Sequence, residues 1–190
     1  MSERIHEILL LTQNADGTPH IAPMGVRSRG DLSLIAPFRP SRTLDNLMRD
    51  ACASINTTDD VRVYAGSLTG HRDWPVMPCS MIRGSRLDNA ISHSEIEVIQ
   101  IEQDEQRPRF FCRTVHSENH RPFRGYNRAQ SAVLELAILV SRLGMLPVEK
   151  IDAEIDYLRI AMDKTAGAEE SEAWDWLMQR VASHRARDCA

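Results

Sequence analysis

Residues 22–56 read APMGVRSRGDLSLIAPFRPSRTLDNLMRDACASIN, and this stretch decides the fold. With Pro19-His20-Ile21 ahead of it, the first part forms an extended run over 19–27. Ser28-Arg29-Gly30-Asp31 is turn chemistry, and 32–37 (LSLIAP) returns as the next strand. Ser41-Arg42-Thr43 then opens a helix. The Ser41 hydroxyl is placed to accept from a first-turn amide, and Leu44, Leu47 and Met48 give one apolar face at i, i+3, i+4. Residues 51–56 (ACASIN) resume as a strand. Upstream, 5–12 (IHEILLLT) is a β-like run, joined by Asn14-Ala15-Asp16-Gly17, a turn whose glycine accepts positive φ at no steric cost. Short loops between such runs predict an antiparallel sheet or barrel.

Downstream, Asp59 or Asp60 is placed to cap a short helix across 61–66. Residues 94–101 (SEIEVIQI) alternate apolar and polar until Ile99 breaks the pattern, and 109–116 (RFFCRTVH) pairs with them across the Asp104–Pro108 turn. The segment 71–80 (HRDWPVMPCS) is irregular. Near residue 125 the pattern becomes helical. Three helical segments follow over 127–144, 148–165 and 169–187, the first stopped by Gly144 and Pro147.

The bulk numbers exclude several classes. At 190 residues, 42% hydrophobic and 26% charged, the chain has enough material for a substantial core, and global disorder is not expected. A net charge of −4 argues against non-specific nucleic-acid binding. The N-terminus lacks the sections of a signal peptide. The apolar stretch Ala132–Met145 is too short to span a bilayer and carries Glu135 and Arg142. A cytoplasmic protein with no membrane partner is the expectation. Cys52, Cys79, Cys112 and Cys189 are far apart and read as reduced. No metal site is expected, since the seven histidines are scattered, and Asn119 and Pro122 keep His116 and His120 off one helix face.

Candidate chemistry concentrates between Arg39 and Asn46. Two arginines and two hydroxyls surround a helix N-terminus, whose free N–H groups and partial positive charge suit a phosphate. An ordinary capped helix with two solvated arginines fits the same residues. Pro23-Met24-Gly25-Val26 fits a strand that a flat ring approaches closely, and equally an edge strand with a bulge. Asn127 and Arg128 stand at a helix start, either capping it or reaching a ligand. No Walker loop, nucleophile elbow or dinucleotide fingerprint is present, and no general acid or base stands out, so the catalytic residues are unknown.

Taken in this order, the pieces resemble the flavin-reductase-like split barrels. There a Met-containing strand supports the isoalloxazine ring, a Pro-rich loop follows, a Ser/Thr-bearing helix start holds the phosphate, and a strand ending in Asn comes next, as Ser54-Ile55-Asn56 does. Ala22-Pro23-Met24-Gly25-Val26, Asn56-Thr57-Thr58-Asp59-Asp60, and Tyr126-Asn127-Arg128-Ala129 with Ala132-Val133-Leu134-Glu135 resemble one FMN-binding split-barrel family, domain of unknown function 447. Its helical C-terminal region also begins with Asn-Arg-Ala.

The resemblance implies an α+β fold: a mainly antiparallel split β-barrel over 1–122 and a C-terminal helical region over 123–190. It implies FMN as cofactor, in sites between the subunits of a homodimer. Carried over by position, Met24, Gly25 and Val26 line the ring. Arg39, Ser41, Arg42, Thr43 and Asn46 hold the phosphate, with Asn56 and Thr57 nearby and Arg128 reaching toward flavin or substrate. An oxidoreductase drawing on NAD(P)H is one implied function; a non-catalytic flavin carrier or sensor is another. A third keeps the barrel as a dimeric interaction module without flavin. A pocket over the exposed ring face, built from residues 66–80, separates the first two.

Overall fold

The structure is a computed structural model that describes residues 4–188. Cys189 and the first three residues of the N-terminal reading lie outside the described residues. In chain order the elements are β1 (Ile5–Gln13), β2 (Pro19–Arg29), β3 (Leu32–Ile35), α1 (Arg42–Asp50), β4 (Cys52–Thr57), α2 (Arg62–Thr69), β5 (Val76–Pro78), β6 (Ser85–Leu87), β7 (Ser92–Glu102), β8 (Arg109–Asn119), α3 (Arg128–Val140), α4 (Val148–Thr165) and α5 (Ala168–Asp188). The expected antiparallel barrel is present. Six strands close in the order β1-β2-β3-β8-β7-β4, and β5 and β6 form a separate two-stranded ribbon.

Two compact units make up the described chain. One takes the residues through Thr58 together with Trp74–Phe123; the other takes Asp59–Asp73 and the residues from Arg124 onward. Residues 59–73, α2 included, thus group with the C-terminal helices, whereas the sequence reading counts them with the barrel. The apolar run Val61, Val63, Tyr64, Ala65 explains this grouping. These side chains are buried, and Val61 and Ala65 share a core with α3, α4 and α5.

In the barrel unit, Ile8 to Leu11 are all buried. Alternating side chains point to opposite faces, so β1 is covered on both sides, which is why it reads as a continuous apolar run. Ile8 and Leu10 join Val26, Ile35, Ala53, Ile96, Phe110 and Leu44 and Leu47 of α1 in one core. The break at Ile99 has a physical cause. The β7–β8 register shifts between Val98 and Gln100, so Ile99 bulges outward and is half-exposed. A second shift follows Glu95. The turn after α1 also differs from expectation. Ala51 is not in the strand; it is the left-handed cap of α1, at φ 54°, and β4 starts at Cys52.

In the helical unit, α3 is the buried element. Ala129, Ala132, Val133, Leu136 and Val140 pack among α4 and α5. A fully buried leucine such as Leu136 contributes about 1.5–3 kcal/mol relative to exposure. α3 ends at Val140, earlier than the Gly144 stop predicts. Among the described residues no helix is long and apolar enough to cross a membrane.

Candidate functional site

The start of α1 is built as the sequence suggests and then braced from three sides. Ser41 is its N-cap, the hydroxyl accepting from Leu44 N at 3.2 Å. The preceding loop is clamped by the β7–β8 turn. Arg107 donates to Ala36 O at 2.9 and 3.2 Å and lies 4.1 Å over the Phe38 ring, while Arg39 N donates to Gln106 O at 2.8 Å. Asp104 holds that turn by accepting from the amides of Gln106 and Arg107, and those bonds keep its carboxyl below the usual range. The result is a nine-residue helix whose first-turn amides, Arg42 and Arg39 side chains stand at one end, with both arginines exposed.

The other predicted phosphate groups are engaged differently. Thr43 is buried and its hydroxyl lies 3.1 Å from His20 Nε2. Asn46 is also buried; its amide donates to Thr12 Oγ1 and Asn14 Oδ1, and its Oδ1 accepts from Arg49. It ties α1 to β1. Asn56 ties β4 to β6, donating to Ser54 and accepting from Leu87 N. Thr57 Oγ1 lies 2.8 Å from Ser92 Oγ.

On β2, Val26 and half-buried Met24 pack on the barrel core, so their side chains are held inward. Gly25 faces the other way, where a Cβ would meet Ile5 Cγ2 at 2.9 Å. What β2 offers a flat ring is therefore its backbone, with the Ile5 side chain filling the space beside Gly25. Arg128 belongs to the helical unit, exposed at the first position of α3. Its neighbour Asn127 takes the capping role, with Oδ1 accepting from Ala129 N and Gln130 N and Nδ2 donating to Thr165 O.

One feature escaped the sequence reading. A cavity of about 540 Å³ is lined by Arg27 and Arg29 of β2, Leu34, Ala36, Asp104 and Arg107, with Gln106 and Arg109 completing it. Four arginines against one aspartate make it anion-attracting, and its size is that of a cofactor pocket. The signal was present in the alternation Arg27-x-Arg29 and in Arg107-Pro108-Arg109, residues that the β2–β3–β8 pairing brings to one edge. None of the described thiols lines it. Burial pushes both Cys79 and Cys112 up to about 12.

Comparison with known proteins gives the following. The sequence matches the family described as protein of unknown function (DUF447) N-terminal domain over residues 6–121, and the DUF447 C-terminal part over 127–179. No curated protein matches by sequence. Among solved structures, an FMN-bound DUF447 protein of Methanosarcina mazei superposes with a TM-score of 0.79 at 20% identity, covering 94% of this chain and 96% of that one. The 2-nitrobenzoate 2-nitroreductase of Pseudomonas fluorescens gives 0.52 at 19% identity, over 63% and 66% of the two chains. The flavin reductase of styrene monooxygenase from Pseudomonas putida gives 0.52 at 14%, over 62% and 82%. At these identities the likeness is one of fold.

Proposed function

Because the chain belongs to the DUF447 family, we propose that it is an FMN-binding flavoprotein acting as an oxidoreductase, with the flavin phosphate at the start of α1. The observation that carries this reading is an FMN-bound member of the same family that aligns over 94% of this chain. The donor set fits the group. A helix N-terminus capped by Ser41, with Arg42 exposed beside it and Arg39 three residues ahead, offers amide and guanidinium donors to a phosphate dianion. FMN supplies electron and hydride transfer when bound. This chain's own residues bind and orient it. β2 presents its backbone at Met24–Val26 to the ring, and Asn46 and Asn56 hold the elements that carry the contacts. A homodimer with flavin sites between subunits, and NAD(P)H as electron donor, complete the proposal; the flavin-reductase relatives support the donor. Its place in the cell is proposed as the cytoplasm.

The arginine-lined cavity favours a second placement, in which Arg27 and Arg29 meet the phosphate. The experiment for the function itself is the visible spectrum of the purified protein before and after FMN addition and removal of excess. Retained flavin that NADH or NADPH bleaches anaerobically supports the oxidoreductase. Retained flavin that neither reduces supports a carrier. A protein that holds no flavin in either condition overturns the reading.

A further inference from the structure

The sequence repeats one tripeptide, His93-Ser94-Glu95 and His116-Ser117-Glu118, the second followed by Asn119-His120. The repeats fall on β7 and β8, and the antiparallel register sets His93 opposite Glu118 and Glu95 opposite His116. Directly opposed residues share a sheet face, as do residues two apart on one strand. Four ligand-type side chains therefore form one patch, with histidine facing carboxylate in both rows. His93 and Glu95 are buried at 2% and 0% exposure.

Both oxygens of Glu95 and both nitrogens of His93 have partners. Glu95 is gripped by three backbone amides. Ser80 N donates to Oε1 at 2.6 Å, and Met81 N and Ile82 N donate to Oε2 at 2.7 and 2.9 Å. Its remaining contact is His93 Nε2, 3.3 Å from Oε1. The other nitrogen of His93, Nδ1, is 2.9 Å from His120 Nε2. His116 Nε2 is buried and makes no hydrogen bond; Glu118 Oε2 lies 3.8 Å from it. One ligand atom from each of His93, Glu95 and His116 lies within 4.8 Å of the other two.

We propose that His93 Nε2, Glu95 Oε1 and His116 form a binding site for a first-row divalent transition ion of the zinc or iron(II) class. Two imidazoles and one carboxylate suit these ions and not calcium or magnesium, which take oxygen ligands. The spacing fits. Ligands bonded at about 2.1 Å to a tetrahedral or octahedral ion lie about 3.0–3.4 Å apart, and His93 Nε2 and Glu95 Oε1 are separated by 3.3 Å. The amides saturate Oε2 and take one lone pair of Oε1, so the carboxylate is turned toward the ion with a single lone pair. The ion takes the Nε2 lone pair of neutral His93, whose single proton moves from Nε2 to Nδ1. His93 then donates from Nδ1 to His120, the outer hydrogen bond that metal-bound histidines make. Three protein ligands leave a position open. A cavity of about 520 Å³, lined by Ile91, Asn119, His120, Arg121, Pro122 and Phe123, lies beside His120. The β-bulge immediately after Glu95 is the kind of irregularity that re-aims strand side chains at sites.

The test uses the full-length protein, stripped with a chelator and titrated with zinc chloride alone, then with cobalt chloride. The expected result is one tight equivalent, a zinc-dependent rise in Tm, and visible cobalt d–d absorption. His116, whose side chain is 33% exposed, is the residue to remove, because His116→Ala leaves the buried pair intact. It is expected to weaken zinc binding by more than about tenfold and to abolish the cobalt absorption. His6→Gln, at an exposed position of β1, is expected to change neither. If wild-type protein binds no zinc, or if His116→Ala binds it unchanged, the site does not exist. Should His116→Ala fail to fold, His120→Gln replaces it, with the proposal overturned if zinc affinity falls less than about tenfold.

Discussion

Asn56 Oδ1 accepts the amide of Leu87 at 2.9 Å, and both residues are wholly buried. The same side chain donates to Ser54 Oγ at 2.9 Å and Ser54 O at 3.2 Å. The β5–β6 ribbon is thereby pinned to β4 through one amide group. Asn56→Ala strands the Leu87 N–H without a partner, a loss of about 1–3 kcal/mol. Urea denaturation should show a lower midpoint with an unchanged slope. Full stability combined with lost flavin affinity would instead make Asn56 a cofactor ligand.

Gly66 supports the helical unit in a comparable way. A Cβ there would lie 2.3 Å from the His71 carbonyl oxygen, so only glycine lets the chain fold back over α2. That return stacks the His71 ring on Trp176 with centroids 3.9 Å apart and planes 9° from parallel. Gly66→Ala is expected to cost about 1–3 kcal/mol through overpacking. A thermal melt should show a Tm several degrees lower, with a weaker aromatic circular-dichroism signal from Trp176. An unchanged melt would mean the loop yields freely.

These two positions show where sequence reading stops. Strand and helix periods made the barrel meander, α1, the Ser41 cap and the tail helices legible, because each depends on neighbours within a few residues. Gly66 carried no visible role, since its constraint comes from a backbone atom five residues on in an irregular loop. Asn46 and Asn56 are read as ligands, and their further role in tying elements together is not legible in one dimension. Their partners lie 31 to 34 positions away. The histidine patch is not legible from helix spacing, because His116 and His120 sit on or just past a strand, where residues an even number apart share a face.

Ala51 holds a conformation that suits glycine, at φ 54° and exposed, closing α1 with Ala51 N donating to Leu47 O at 3.0 Å. Relief of left-handed strain, about 1–2 kcal/mol, exceeds the added flexibility of the unfolded chain, about 0.4–1 kcal/mol. Ala51→Gly should therefore stabilise the protein by roughly 0.5–1 kcal/mol. A Tm equal to or below wild type would show that the strain is already relieved.

Acid sensitivity should trace partly to Asp104. The amides of Arg107 and then Gln106 hold its carboxyl below the ordinary value. A depressed folded pKa stabilises above the unfolded pKa, near 4, and the contribution is lost as pH falls through the folded value. Asp104→Ala should be less stable than wild type at neutral pH, and the gap should close as pH falls below about 4. A gap that stays constant through that range would exclude the carboxylate as its source. The same turn positions the loop before α1 through Arg107 and Gln106, so the variant should also bind FMN more weakly.

The two phosphate placements separate by charge removal at exposed and cavity positions. Arg42 is exposed at the first position of α1, so Arg42→Ala removes a donor with little effect on packing. A charge-assisted hydrogen bond is worth about 1.5–3 kcal/mol, or roughly a 10–100-fold loss of FMN affinity if the phosphate sits there. Adding Thr43→Ala should deepen the loss, though that change also removes the 3.1 Å contact to His20 and must be read beside a stability measurement. Arg27→Ala with Arg29→Ala empties two of the four cationic positions in the cavity. If α1 holds the phosphate, this pair changes affinity only modestly, through long-range attraction that salt screens. Fluorescence titration of FMN at two salt concentrations distinguishes the cases. A large, salt-resistant loss in the Arg27/Arg29 variant, with Arg42→Ala unchanged, would move the phosphate into the cavity.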